Sequence, residues 1–480
     1  MNRPALLLTC GFALLLSCKT VTPDAPFRAQ PPAALGTSTF TPPVIQELTL
    51  SNGIRVLALE RHQLPIVQVT VLFNRGAGDD GVIAPWQSAI MGGLLETGAG
   101  ALTASQISER YQAIGAAHGA EVRWDTASAG FKVVSTGLDA ALELLATVVQ
   151  TPTFTSEELS KVIAQRKTGI AFLQRDARKK ANNAKDVALL GRGDAYGKTY
   201  EATAAQLDSI THDGLVQSYQ RLFAADRASI LVTGDVKPAE LLPKLEAAFG
   251  RWQTKAPADL GAHVTESSTA RVVLVNQPKA PQSVLYVAQR GPARSTPDRI
   301  ALQVMNAVFG DIFASRINLN LRERLAISYG VGSTVWAGRR PGLIYAGGSV
   351  TAAKTGLAAS ELLAEVRAMQ DRLVTPEELA DAKEAVKRSI TAPFESIDGS
   401  TEALRPLIAY QRPLNAYSTD LEEVERITAE DVQRVAKQYL KPDEMKIIAA
   451  GDLEVIRPQL EALKLGSVEV RDAFGDLVKE

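Results

Sequence analysis

Ser229-Ile-Leu-Val-Thr-Gly-Asp235 and Lys446-Ile-Ile-Ala-Ala-Gly-Asp452 are two short apolar runs, each closed by Gly-Asp, that stand 217 residues apart. Each follows an Ile-Thr pair that opens a helix, Ile210-Thr211 and Ile427-Thr428, at the same spacing and without a gap. Short runs of apolar and β-branched residues ended by Gly read as β-strands. A second pair, Arg55-Val-Leu-Ala-Leu-Glu-Arg-His-Gln-Leu-Pro65 and Arg271-Val-Val-Leu-Val-Asn-Gln-Pro-Lys-Ala-Pro281, repeats at an offset of 216 with Arg, Val and Pro coinciding. Two offsets that agree so closely mark an internal duplication. The chain therefore reads as two similar domains, 44–255 and 270–480, joined by a polar linker at 256–269.

Within each half the pattern gives two strands, helices, two more strands, several helices, then a strand and a helix. Amphipathic spacing of three and four marks the helices, as in Leu138 to Val149 and Pro376 to Ser389. Grouped strands followed by grouped helices predict an α+β fold: in each domain a mainly antiparallel sheet with helices packed on one face. Two such domains on a linker could close as a clamshell. The charge run Arg175 to Lys180 is expected on a solvated helix surface.

At 480 residues, with 46% hydrophobic and 22% charged residues, the chain has ordinary globular composition and ample material for more than one core. Its 52 basic residues balance 53 acidic ones, which leaves no basic footprint for nucleic acid. The start reads as an export signal: Arg3 supplies positive charge and Ala5 to Leu16 is an apolar run too short to span a bilayer. Leu15-Leu16-Ser17-Cys18 has the form of a lipobox, so residues 1–17 are expected to be removed and Cys18 lipidated; an ordinary secretory signal is the alternative. The Pro-, Ala- and Thr-rich stretch 18–43 then reads as a tether. The expected location is a bacterial cell envelope, lipid-anchored, with the outer membrane favoured over the inner by the absence of Asp after Cys18 and the periplasmic side as the expected facing. Nothing later reads as a membrane span.

Several segments, taken in order, resemble the pitrilysin-type (insulinase-like) metallopeptidases, which include the mitochondrial processing peptidases and insulysin. They are Leu50-Ser-Asn-Gly-Ile-Arg-Val56, Thr151-Pro-Thr-Phe-Thr-Ser-Glu-Glu-Leu159, Tyr196-Gly197 and Gly234-Asp235 in the first half. Ser315-Arg316, Leu321-Arg-Glu-Arg-Leu-Ala-Ile-Ser-Tyr-Gly330, Thr375-Pro-Glu-Glu-Leu379 and Phe394-Glu395 follow in the second. Active relatives carry H-x-x-E-H on a helix, where two His at i and i+4 share one face and can hold zinc while the Glu serves as base. The resemblance places that motif on Ala89-Ile-Met-Gly92-Gly93, and the third ligand, a Glu in relatives, near Gly169. None of Ala89, Gly92, Gly93 or Gly169 carries a metal donor or a base. The four histidines, His62, His118, His212 and His263, offer no substitute pair.

Arg322 and Tyr329 keep the seven-residue spacing of an Arg and a Tyr that face the zinc in active relatives. The resemblance implies a substrate-binding role for both: a guanidinium for peptide carbonyls or a carboxylate, and a phenol for a developing oxyanion. The plainer alternative is a surface charge and a packing residue. His118 and Ala120 to Arg123 correspond to a strand that pairs with extended substrate in relatives, or form merely a core hairpin. The implied function is a non-catalytic subunit of a zinc peptidase complex, with no cofactor of its own and with zinc in a homologous partner chain that carries H-x-x-E-H. The alternative is an envelope scaffold or peptide-binding protein that reuses the fold. Gly76-Ala-Gly-Asp-Asp-Gly81 satisfies G-x-G-x-x-G but lacks a βαβ setting, and is expected to be a polar turn.

Overall fold

The duplicated markers become the same strand in two sheets. The computed structural model describes residues 40–79, 84–258 and 267–478. The leader 1–17, Cys18, the tether up to residue 39, Asp80, Gly81 and His263 lie outside the described residues. The first sheet comprises β1 (Gln46–Thr49), β2 (Arg55–Glu60), β3 (Ile66–Phe73), β4 (Ala117–Val122), β5 (Ala127–Val134) and β6 (Ala228–Gly234). The second comprises β7 (Val272–Asn276), β8 (Gln282–Arg290), β9 (Val331–Trp336), β10 (Leu343–Thr351), β11 (Lys446–Gly451) and β12 (Val468–Arg471). Their spatial orders, β1-β2-β6-β3-β5-β4 and β12-β7-β11-β8-β10-β9, are the same path through the sheet.

Register repeats as well as order. Val56 opposes Ile230 and Val69 opposes Val232 in the first sheet. Val272 opposes Ile447 and Leu285 opposes Ala449 in the second, related by the offsets read from the sequence. The pairs β2–β6 and β7–β11 are parallel, because nearly a whole half of the chain separates their members and gives room for the crossover. Other pairings are antiparallel, apart from one outer edge. There β1 forms an antiparallel pair with β2, while β12, from the opposite end of the chain, runs parallel to β7. Strand β6 is buried along its whole length, which explains its continuous rather than alternating apolar pattern.

Alternation along the strands then assigns two faces to each sheet. Val56, Ala58, Val69 and Ile230 pack with the first half's own helices: α1 (Pro85–Leu94), and Leu142 and Leu145 of the helix Leu138–Gln150. Leu57, Leu59, Leu72 and Leu231 point the other way and join the core that contains Leu404 and Leu407. After α2 (Ser156–Leu173), the helix α3 (Ala177–Leu190) likewise leaves its own half: Ala181, Ala184 and Ala188 pack on Val273, Val275, Tyr286 and Ile448 of the second sheet. Helix α4 (Ile397–Ala409), which carries Leu404 and Leu407, lies on β6 and β3 of the first. The two halves therefore exchange helices: each sheet has its own helices on one face and a helix of the other half on the second.

The alanines of α3 recur at three and four, on one helical face, and let the helix lie close to the sheet. The exchange also overturns the expectation for one member of the charge run, while Arg175, Arg178 and Lys179 are exposed as expected. Lys180 is buried: its Nζ donates to the Asn276 carbonyl at 3.1 Å and to Gln277 Oε1 at 2.8 Å, and burial holds its pKa below the ordinary lysine value. The alkyl stem of a lysine can cross an apolar layer if its head finds acceptors, and here those acceptors belong to the other half.

A polar joint closes the same interface. Arg339 donates to Asp79 Oδ2 at 2.7 Å and to Asn74 Oδ1 at 2.6 Å, both in the first half. Asp125 accepts from the hydroxyls of Tyr196 and Tyr410 and, at 3.0 Å, from the Arg339 backbone N–H. Tyr196 sits edge-on between Trp124 and Trp336, one from each half. The polar turn expected at Gly76 serves this joint. The N–H groups of Ala77 and Gly78 donate to the carbonyls of Arg123 and Trp124 at 2.8 and 2.7 Å, and a Cβ on Gly78 would lie 2.8 Å from the Trp124 oxygen. Arg299–Arg324 is long and apolar enough to cross a membrane, a property not expected from the sequence. Of its apolar window 67% is buried, and it packs as core.

The exchange predicts mutual dependence. Loss of α4 would uncover four leucines that each contribute about 1.5–3 kcal/mol, a sum of roughly 6–12 kcal/mol. Whole domains are stable by only about 5–15 kcal/mol. Residues 42–258 and 267–480, expressed as separate polypeptides, should each aggregate, and should form a soluble complex when co-expressed. A monomeric half with a cooperative urea transition would contradict this. In the intact chain Arg339→Ala should cost about 2–3 kcal/mol by urea denaturation, because Asp79 loses its cation while staying buried.

Candidate functional site

Helix α1 begins with Pro85 at its first turn, a position that needs no backbone N–H. Ala89 and Gly93, one turn apart, share one face. Helix α2 starts at Thr155, whose hydroxyl accepts from the Glu158 N–H, and carries Gly169 near its far end. The two helices converge on a cleft of about 470 Å³ lined by Ala89, Ile90 and Gly93 on one side and by Arg166, Gly169 and Leu173 on the other. The three positions that the resemblance assigns to metal ligands thus meet in one space.

What they present there is a methyl group and hydrogens. A Cβ built on Gly93 or Gly169 has no atom within 4 Å, so the side chains absent from these positions leave open volume. The lining contains no His or Cys, and its one carboxylate is Glu201. A tetrahedral zinc site needs three or four N, S or O donors, and this set does not fit it. Among the described residues no group of three or more His, Cys, Asp or Glu has metal-holding proximity.

The position of the base differs. Gly92 is buried, and a Cβ there would lie 2.8 Å from Val122 Cγ2 on β4. Strand β4 has closed on the helix at this point. Beyond the helix, Glu96 Oε1 lies 3.0 Å from His118 Nδ1, and Tyr111 stacks on the His118 ring at 4.0 Å. Burial raises the Glu96 pKa, a rise that His118 partly offsets. These contacts pin β4 to α1. The strand is nevertheless the outermost of its sheet, paired only with β5, and Ala117, His118 and Gly119 are exposed.

Arg322 and Tyr329 are not among the residues that line this cleft. Arg322 lies in a π-helical segment, Leu319–Arg324, a rare form often found at functional sites. Its guanidinium is 4.5 Å from the centre of the exposed Phe313 ring and 3.2 Å from Glu323 Oε1. Ala326, with φ 52°, turns the chain out of this segment, and Tyr329 emerges 90% exposed. Tyr329 is open to solvent and Arg322 is partly so, and among the described residues no contact joins the two.

Sequence reasoning missed the rest of the cleft. Trp86, Ile170 and Leu207 give it an apolar lining, with Tyr200, Glu201 and Lys179 as polar members. Tyr200 packs on Trp124 with ring centres 4.5 Å apart, which joins the cleft to the end of β4 and, through Tyr196, to the joint between the halves. The only available signal was Tyr196-Gly197, noted for its resemblance and not for its contacts.

Comparison with known proteins finds the same fold. Residues 209–386 match a family model described as Peptidase M16 inactive domain. A probable inactive metalloprotease, YmfF, of Bacillus subtilis is 22% identical over 63% of this chain and 71% of its own. The cytochrome b-c1 complex subunit 1 of Rattus norvegicus is 22% identical over 92% of this chain and 93% of its own. The mitochondrial-processing peptidase subunit beta of Blastocladiella emersonii is 25% identical over 55% and 57%. Among solved structures, a peptidase M16 inactive domain from Pseudomonas fluorescens superposes with a TM-score of 0.78 at 24% identity, covering 85% of this chain and 98% of that one.

The open and closed positions predict separable effects. The triple variant Ala89→His, Gly93→His, Gly169→Glu should bind about one equivalent of zinc by calorimetry, since its new side chains enter free space. Adding Gly92→Glu should cost about 1–3 kcal/mol of stability by overpacking against Val122. If the triple variant takes up no more zinc than the parent chain, the three positions do not converge as described.

Proposed function

We propose that this chain is an inactive member of the M16, or pitrilysin-type, peptidase family and serves as the non-catalytic subunit of a zinc peptidase complex in the cell envelope. In this reading it helps to enclose and bind unfolded peptide for a homologous partner chain that carries H-x-x-E-H and the zinc. The observation that carries the proposal is a division within one molecule: the metal positions meet in a cleft with no His or Cys and a single carboxylate, while the sheet edge at β4 remains open.

Strand β4 offers an unpaired sheet edge, to which an extended peptide can add with main-chain hydrogen bonds on any sequence. Arg322 would hold a peptide carbonyl or carboxylate with its forked donors, steadied by the Phe313 ring beneath it. Tyr329, free of protein contact over most of its surface, would donate its hydroxyl to the carbonyl that the partner's water attacks. No step is routed through a metal in this chain. The names of two relatives, a processing peptidase subunit and a cytochrome b-c1 complex subunit, support a life within an assembly. The leader and Cys18 would anchor it by lipid, with the outer membrane's periplasmic face as the proposed location.

A second reading, a scaffold without any part in proteolysis, draws on the likeness to complex III. A structure of that complex from Candida albicans contains a chain that superposes with a TM-score of 0.70. The two readings diverge in a mixing experiment. Combined with its H-x-x-E-H partner, the chain should raise peptide turnover well above that of either protein alone. Tyr329→Phe should lower the mixture's kcat by about 10²-fold, as for loss of an oxyanion donor. A mixture no faster than the partner alone would remove the subunit role, and unaltered turnover in Tyr329→Phe and Arg322→Ala would remove the clamp. Separately, Cys18→Ser should move the protein from the membrane to the soluble fraction, and persistent membrane association would contradict lipid anchoring.

A further inference from the structure

The cleft at Ala89, Gly93 and Gly169 is more than the place where ligands were lost. Its size, about 470 Å³, falls in the range of roughly 300–1,000 Å³ typical of sites that hold small ligands or side chains. Ile90, Leu173 and Leu207 are buried at its floor, with Trp86 and Ile170 half-buried above them. Arg166 and Lys179 stand exposed at its margin, and among the described residues neither has an ion-pair partner. Glu201 is the one opposing charge. The Tyr200 hydroxyl is buried without a hydrogen-bond partner among the described residues, a condition that costs about 1–3 kcal/mol until an acceptor arrives.

We infer that this cleft is a recognition pocket for peptide, and that it takes a large apolar side chain that has a carboxylate beside it. The inference deepens the peptide-binding reading above and rests on it. Glycine at positions 93 and 169 is what opens the pocket: any side chain there would project into space now free of protein. The apolar floor would desolvate a Phe- or Leu-sized group, at about 25 cal/mol for each Å² removed from water. The two unpaired cations and the Tyr200 hydroxyl would meet the carboxylate, from a chain terminus or from an adjacent Asp or Glu. Position favours a peptide as the occupant. Gly92 of the same helix touches β4, and Tyr200 packs on Trp124 just beyond that strand, so the pocket opens beside the end of the free edge.

The test uses the full chain and labelled serine-rich peptides read by fluorescence anisotropy. One ends in Phe with a free carboxylate, one in Phe with an amide, one in Ser with a free carboxylate, and one carries internal Phe-Asp with an amidated end. The Phe-carboxylate peptide should bind at least ten-fold tighter than the Ser peptide, and comparison of the amide and Phe-Asp arms identifies the source of the carboxylate. Gly169→Leu and, independently, Gly93→Leu should erase the preference for Phe without lowering the melting temperature. Arg166→Ala with Lys179→Ala should erase the preference for the carboxylate alone. Equal binding of Phe and Ser peptides, or a Phe preference that survives in both filled variants, overturns the pocket and leaves peptide binding by the chain intact. Failure to bind every peptide overturns the pocket too. The partner-mixing experiment then decides separately whether the subunit reading stands.

Discussion

The reciprocal exchange of α3 and α4 is the constraint on which the rest depends. A sheet with apolar residues on both faces cannot be stable with one face in water, and here each half supplies the cover for its neighbour's exposed face. The duplication therefore produces two interlocked halves and not two beads on a string. Interlocking fixes what each sheet can present. The second face of each is committed to the other half, so the available surfaces are the outer edges β1, β4, β9 and β12 and the helical layers outside. The joint at Asp125, Tyr196 and Arg339 adds direction to this apolar grip, because its hydrogen bonds form only in one relative placement of the halves.

The absence of donors at Ala89, Gly93 and Gly169 costs the fold little. Gly93 and Gly169 face open space and Ala89 lines the same cleft, so longer side chains at these positions would contribute little to the packing of the core. Removing them leaves the fold intact and removes charged groups that would otherwise need a cation to justify their partial burial. Glycine inside a helix does cost stability, about 1 kcal/mol relative to Ala at each site. Two such glycines, with an open cleft between them, are therefore a local expense against helix propensity. That the cleft keeps an apolar floor and a buried, unpartnered Tyr200 hydroxyl is difficult to reconcile with mere decay of a site toward a filled core.

The fold was largely legible because its signals are local. Strand patterns, the Gly-Asp ends and the Ile-Thr helix starts recur at a fixed offset, and sheet register follows from the same alternation. The exchange was not legible, since it depends on contacts between residues such as Lys180 and Gln277 that no periodicity links. Lys180 read as part of a solvated face with Arg175, Arg178 and Lys179, which are indeed exposed, although the alanine stripe next to it could have suggested a helix made for close packing. At the site, the ligand positions could be placed by resemblance alone, and the structure gathers Ala89, Gly93 and Gly169. The surrounding Trp86, Tyr200 and Leu207 come from three separate segments, and only the folded chain assembles them.

Metal binding and peptide binding make different demands on a protein, and this chain separates them. A zinc site depends on three or four donors held within a few tenths of an ångström, so the loss of any one is decisive. Capture of an extended chain relies on a free strand edge, whose N–H and C=O groups are set by backbone geometry and survive almost any side-chain change. Strand β4 has that edge, with Val122 against Gly92 and His118 tying the strand to the segment after α1 through Glu96. Helix α1 in this chain supports the strand beside it. A support of that kind needs close packing at Gly92 and tolerates empty volume at Gly93, which is the distribution the structure displays.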